Sequence, residues 1–326
     1  MINKLNQSIL LEGGTIYDPY NNKKIKGSIL IQNGLINKVG KINPSNKMKS
    51  VDCKGKIIAP GFIDIHAHFR EPGREDKETL ATGAQAAFAG GFTRVCVMPN
   101  TDPPLDTPES IRFIIEKSTD LHVDIFPIGA ITIGQKGMEL TEVGEMVKAG
   151  AVAISDDGLP VQNGQVLRYA LEYAKKYGIP VINHAEDIHL RNDGVMNEST
   201  LSTRLGLPGN PDISESVMVH RDLEIADYCG GRIHVPHVST KRSVDLIREY
   251  KKNGVDVSAE VTPHHLGLTE EKLTEYNTHS KVAPPLRTHS DREALIEGLL
   301  DGTIDCIATD HAPHTIEEKE MDFIPA

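Results

Sequence analysis

The sequence predicts an α/β protein: a (β/α)8 TIM barrel preceded by a small N-terminal β domain. Three observations predict it. From about residue 59 onward, short β-branched or apolar runs alternate with stretches of helical periodicity, the pattern of successive βα units. The apolar runs number eight, the strand count of a closed barrel. Side chains able to bind metal gather at the C-terminal ends of those runs, and in a barrel such ends share one face.

The first 56 residues differ from the rest. Segments such as SILLEGGTIYD and GSILIQNGLINKVG alternate in polarity and are punctuated by Gly and Asn, so residues 1–56 are expected to form the small β domain. The barrel strands are then expected within 57–69, 93–100, 123–130, 151–157, 179–186, 232–239, 255–265 and 304–314. Helices are expected between them, as in KETLATGAQAAFAGG, GQVLRYALEYAKKYG and STKRSVDLIREYKKNG. Leu167, Ala170, Leu171 and Ala174 illustrate the apolar stripe. Gly90, Gly150, Gly178, Gly230, Gly254 and Gly302 stand where left-handed C-caps are expected. An open doubly wound sheet is disfavoured, since no GxGxxG follows a first strand. The sequence stops at IPA soon after the eighth run, so the barrel domain, 57–326, is expected to lack its last helix.

Composition narrows the function classes. A net charge of -11 argues against nucleic acid or an anionic membrane as partner, because both reward clustered Lys and Arg. No apolar run approaches the roughly 18 residues of a membrane helix, and the N-terminus lacks the apolar core of a signal peptide. The cytoplasm is therefore the expected compartment. Cys53, Cys96, Cys229 and Cys306 are scattered without a CxxC pair; they are read as reduced core residues, not as a disulfide framework or a thiolate metal site.

The chemistry is carried by the strand ends. His66 and His68, two apart in an extended segment, project from the same side and can ligate one ion together. His184 closes the fifth run, Asp310 the eighth, and Asp156 with Asp157 the fourth. His234 and His237, three apart, face opposite sides of a regular strand; His237, nearer the end, is the favoured ligand. Singly, each residue is more commonly a satisfied structural histidine or a turn cap. Together on one mouth they point to a metal site, and the mixed imidazole and carboxylate set suits Zn2+. Candidates exceed the four ligands of one ion, so two ions sharing a carboxylate are considered beside one. Strand parity leaves open whether Asp156 or Asp157 takes part.

The stretches GFIDIHAHFREPG, VMPNTDPP, SDDG, NHAED, HVSTK, EVTPHHL, PPLR and IATDHAPHT, spread over nearly the whole chain, resemble the bacterial dihydroorotases of the amidohydrolase superfamily. The resemblance implies a (β/α)8 barrel with a composite β domain drawn from both chain ends. It implies that His66, His68 and Asp310 bind a first zinc, that His184 and His237 bind a second, and that Asp157 bridges them. Hydantoinases, allantoinases and other dihydroorotases use a carboxylated lysine at the bridge; AVAISDDG contains no Lys, which favours the dihydroorotase branch with a bridging Asp. The implied reaction is the reversible cyclisation of N-carbamoyl-L-aspartate to L-dihydroorotate in pyrimidine synthesis, with Asp310 as catalytic acid and base. His68, Arg70, Asn100, Ala283 and His314 match the substrate-binding positions, Arg70 as clamp for a substrate carboxylate.

Two departures stand out. The family shows Asn where this chain has Ala283, leaving only backbone contacts there, and family members continue for roughly a hundred residues beyond this sequence. The alternatives are a hydantoinase or allantoinase, and a catalytically silent scaffold for aspartate carbamoyltransferase. That enzyme is the candidate protein partner, and a homodimer is the expected assembly.

Overall fold

The fold was obtained as a computed structural model and is described for residues 8–44 and 48–326. The chain divides into two compact units, Met1–Phe62 and Ile63–Ala326. In the first, β1 (Ser8–Asp18) pairs antiparallel with β2 (Lys23–Gln32), which pairs antiparallel with β3 (Leu35–Gly40). Parallel to β1 run β4 (Met48–Asp52) and β5 (Ile57–Ile58). Asn33 and Gly34 join β2 to β3 with φ of 53° and 78°, the left-handed pair that a tight hairpin demands. Ile16, Ile29, Cys53 and Ile58 form the small core. The expected boundary at 56 falls too early: Ile57 and Ile58 hydrogen-bond alongside Thr15 and Ile16 as a fifth strand of this sheet.

Each of the eight expected runs in the second unit contains a strand. These are β6 (Phe62–Ala67), β7 (Phe92–Val97), β8 (Asp124–Pro127), β9 (Ile154–Ser155) and β10 (Val181–Ile182). After a separate parallel pair, β11 (Met196–Asn197) and β12 (Gly209–Asn210), come β13 (Ile233–Val235), β14 (Val257–Val261) and β15 (Cys306–Ile307). Hydrogen bonding orders them as β6-β7-β8 and β9-β10-β13-β14-β15. Parallel bridges Gly129 to Ile154 and Ala67 to His311 join the two ladders at both edges, so the ring closes.

Helices cover the ring from outside. Those following β6 to β9 are α1 (Leu80–Ala89), α2 (Pro108–Ser118), α3 (Val143–Ala149) and α4 (Gly164–Tyr177). Short α5 (Ile188–Arg191) and α6 (Thr200–Leu205) precede α7 (Ile213–Cys229) and α8 (Lys241–Lys252). α9 (Pro263–Gly267) then leads to α10 (His289–Asp301), and the four-residue α11 (Ile316–Lys319) follows β15. α4 shows why these segments are helical. Asn163 caps its first turn, Leu167, Ala170, Leu171 and Ala174 are buried on one face, and Gly178 ends it at φ 70°. Gly90 departs from expectation: its N–H still bonds Ala86 in helical geometry at φ −77°, and the left-handed turn passes to Gly91 at φ 84°.

Val95, Ile125, Val181, Ile233 and Ala259 of the strands pack with Ile111, Leu167, Leu223 and Ile247 of the helices in one core. Each large apolar side chain so buried contributes roughly 1.5–3 kcal/mol. All four cysteines are free, but only Cys53 is fully buried; Cys96, Cys229 and Cys306 keep partial exposure. Among the described residues no helix is long and apolar enough to cross a membrane.

Candidate metal centre

His66 and His68 leave the end of β6 on the same side, as their spacing requires, with Nε2 atoms 3.2 Å apart. β15 reaches them through the closing seam: the N–H of Asp310 bonds the carbonyl of His66 at 3.0 Å. Asp310 Oδ1 thereby lies 3.0 Å from His68 Nε2 and 3.4 Å from His66 Nε2. Asp157, just past β9, turns Oδ2 to the same pair at 3.5 and 3.4 Å. Its other oxygen, Oδ1, faces His237 Nε2 at 3.4 Å and His184 Nδ1 at 4.0 Å, and those two nitrogens are 2.9 Å apart. Five of the six residues expected as ligands thus fall in two groups that share Asp157, and the sixth, Asp310, lies against the first of them.

The donor set has the chemistry of a cation site. His66 Nδ1 lies 2.5 Å from Glu260 Oε1 and His68 Nδ1 lies 2.7 Å from Asn100 Oδ1. Each acceptor fixes the proton on Nδ1, leaving Nε2 with a bare lone pair. Two such lone pairs face each other beside carboxylate oxygens, an arrangement that repels itself unless a positive charge lies between. Asp157 Oδ1 is buried with no hydrogen-bond partner, which in a buried carboxylate calls for a partner of another kind. The residues therefore fit a metal ion. His237 and Asp310 hold positive φ of 32° and 49°, strain of the sort that gathers at functional sites.

The charges reinforce one another. The positive charge that the cluster demands can be a metal ion or a proton. Burial opposes a charge on His66, but Glu260 and Asp157 outweigh it, so that without a cation the ring takes up a proton and its pKa stands well above the ordinary histidine value. Burial likewise opposes ionisation of Asp157, and His66 and His237 overcome it, holding the carboxyl well below the usual range. At Asp310 burial is outweighed by the hydrogen bond to His68 and the charges of His66, His68 and His237, which bring it down to about 2.

Neighbours left ambiguous by the sequence separate here. Asp156 points away: Oδ1 accepts the N–H groups of Ile131 and Thr132 at 2.8 and 3.1 Å, and Oδ2 bonds the Thr132 hydroxyl. His234 turns to Glu260 Oε2 at 3.1 Å and Ser258 Oγ at 2.8 Å instead of joining the cluster. Glu260 went unnoticed in the sequence, because in VDVSAEV it alternates with apolar residues as Asp256 and Ser258 do, and only the structure shows that it is fully buried.

A cavity of about 1050 Å³ opens over the cluster, walled in part by Arg70, Asn100, Ala283 and His314. Arg70 donates from Nε to the Pro313 carbonyl at 3.2 Å. Its neighbour Glu71 pins the loop by accepting the first helical N–H of α1 at 2.7 Å and pairing with Lys117. At Gly73, φ 93°, a Cβ would lie 1.9 Å from the Asp102 carbonyl oxygen, so only glycine fits the turn. His314 Nδ1 lies 3.0 Å from Glu318 Oε2.

Comparison with known proteins agrees with this geometry. Residues 55–243 match the family described as Dihydro-orotase-like. The chain belongs to that family. A dihydroorotase of Desulforapulum autotrophicum is 48% identical over 97% of this chain and 75% of its own length. One from Pelotomaculum thermopropionicum is 50% identical, over 97% of this chain and 74% of its own. Among solved structures, an L-hydantoinase (dihydropyrimidinase) from Arthrobacter aurescens superposes with a TM-score of 0.83 at 23% identity, covering 96% of this chain and 71% of that one. At that identity the likeness speaks for the barrel fold of the dihydroorotase-like chain and not for its substrate.

Proposed function

We propose that this chain is a dihydroorotase, interconverting N-carbamoyl-L-aspartate and L-dihydroorotate in pyrimidine biosynthesis. The observation that carries the reading is Asp157, whose two oxygens each face a histidine pair at the floor of a cavity walled by Arg70. The dihydroorotases 46–50% identical to it over 97% of the chain support it. His66, His68 and Asp310 would hold one ion, His184 and His237 a second, with Asp157 between them. Zinc suits this donor set, with one or two ions per chain. When bound, it supplies a Lewis acid and lowers the pKa of water toward neutrality.

The remaining work falls to side chains. In the hydrolytic direction water adds to the ring amide carbonyl; Asp310 takes its proton and passes it to the ring nitrogen as the C–N bond breaks. In the cyclising direction the reacting carboxylate takes up one proton from solvent, and Asp310 takes a second from the carbamoyl nitrogen as that nitrogen attacks the carboxyl carbon and delivers it to the departing oxygen, which leaves as water. Arg70 clamps the substrate carboxylate that does not react, while Asn100 and His314 orient the ring and Ala283 offers only backbone. His68 adjoins the bound substrate. Holding the carboxylate converts an encounter into an aligned reaction. The reading extends to a cytoplasmic homodimer able to meet aspartate carbamoyltransferase, while the acidic net charge speaks against nucleic acid or an anionic membrane as partner.

The test is turnover of zinc-loaded protein on carbamoyl aspartate, dihydroorotate, hydantoin and allantoin. Conversion of the first two, with the uncharged rings poor substrates, is expected. Preference for hydantoin or allantoin, or no turnover by zinc-loaded protein, overturns the assignment.

A further inference from the structure

Glu260 is buried on β14, an interior strand between β13 and β15, and takes no part in the proton transfers above. Its Oε1 accepts Nδ1–H of His66 at 2.5 Å and also the backbone N–H of His237 at 3.3 Å. Its Oε2 lies 3.1 Å from His234 Nε2, whose Nδ1 in turn lies 2.8 Å from Ser258 Oγ. Those contacts settle the chain of donors: the Ser258 hydroxyl bonds Nδ1 of His234, leaving Nε2–H to bond the carboxylate. The register agrees, since His234 stands opposite Ser258 on adjacent strands and Glu260 is two residues further along the same face.

We propose that Glu260 is a positioning residue that couples the two halves of the metal centre, one oxygen orienting a ligand of each. Through Nδ1 it sets the ring of His66, which faces Asp310. Through the main chain it holds His237 at φ 32°, a conformation a histidine rarely adopts, and so aims the ring that faces His184. Asn100 does the corresponding task for His68 alone. Both subsites therefore lose their alignment when Glu260 is altered, whereas a change at Asn100 is felt at one. A carboxylate serving only as a buried partner of His234 would change stability without selecting the ions.

The inference rests on the two-ion reading, and the test separates the two. Wild type, Glu260→Gln, Asn100→Ala and His234→Asn are loaded with Zn2+ or Co2+; ions per chain are counted by atomic emission, affinities read by chelator competition, and the visible bands of bound Co2+ recorded. Wild type is expected to hold two ions. Glu260→Gln should weaken retention of both by roughly 10- to 100-fold and shift the Co2+ bands. Asn100→Ala should weaken one. His234→Asn, which frees the far oxygen of Glu260, should weaken both to a lesser degree, and carries the test if Glu260→Gln does not fold. Wild-type retention of both ions in these two variants, or loss of only one in Glu260→Gln, overturns the coupling while leaving the metal reading intact. A wild type that binds no ion overturns the metal reading, and the coupling with it.

Discussion

Asp156 and Asp157, adjacent in sequence, face opposite ways: Asp156 binds the Ile131–Thr132 backbone while Asp157 spans two histidine pairs. Asp157→Asn should therefore empty both ion positions and abolish turnover. Asp156→Asn should keep the ions but loosen the Thr132 loop, at a cost of about 1–3 kcal/mol in unfolding free energy. Metal counts and denaturant titrations on both variants decide the matter; metal loss in Asp156→Asn would reverse the assignment.

Asp310 and His66 lie 3.4 Å apart but differ in role. Asp310→Asn should lower kcat by at least roughly a hundredfold, the scale of general acid and base catalysis, with modest loss of metal. His66→Ala should lose the metal itself. Parallel measurement of kcat and bound ions separates proton transfer from ligation.

Arg70 adjoins the cavity with its Nε already engaged by Pro313, so its terminal nitrogens remain for a carboxylate. Arg70→Ala should raise KM for carbamoyl aspartate by roughly 10- to 100-fold, the value of a charged hydrogen bond of 1.5–3 kcal/mol. Arg70→Lys should recover only part of this, because a point charge does not reproduce the planar fork. Steady-state kinetics with both variants test it; an unchanged KM removes Arg70 from the substrate site.

His265 is buried between Thr262 and Pro284, and burial pushes its pKa down to about 3. The folded chain therefore keeps this ring neutral while the unfolded chain protonates it near 6.5. Its contribution to stability is whole above that value and is lost as pH falls toward 3, by about 1.4 kcal/mol per pH unit. Urea titrations between these limits should show a shallower acid slope in His265→Asn than in wild type; equal slopes would remove His265 as the cause.

Much of this was legible because barrel geometry converts spacing into direction. Two-residue parity aimed His66 and His68 together, and the strand ends gathered His184, His237 and Asp310. Parity could not separate Asp156 from Asp157, since β9 ends at Ser155 and the next residues obey the turn. Glu260 escaped for a related reason: its partners lie on β13 and β6, remote in sequence, and only the register of His234 against Ser258 puts them on one face. Gly90 shows the limit at helix ends, where one further backbone bond moved the left-handed residue to Gly91.

The seam between β6 and β15 has a consequence for the chain as a polymer. His68 and Asp310 are separated by 242 residues yet touch across a ring closed there by one bridge. An ion bound by both would be a clasp on nearly the whole barrel, working as a long-range cross-link does by restricting the unfolded chain. A cross-link of that span is worth about 5 kcal/mol in the chain-entropy picture, so a chelator should be felt far from the cluster, in the unfolding temperature of the entire ring.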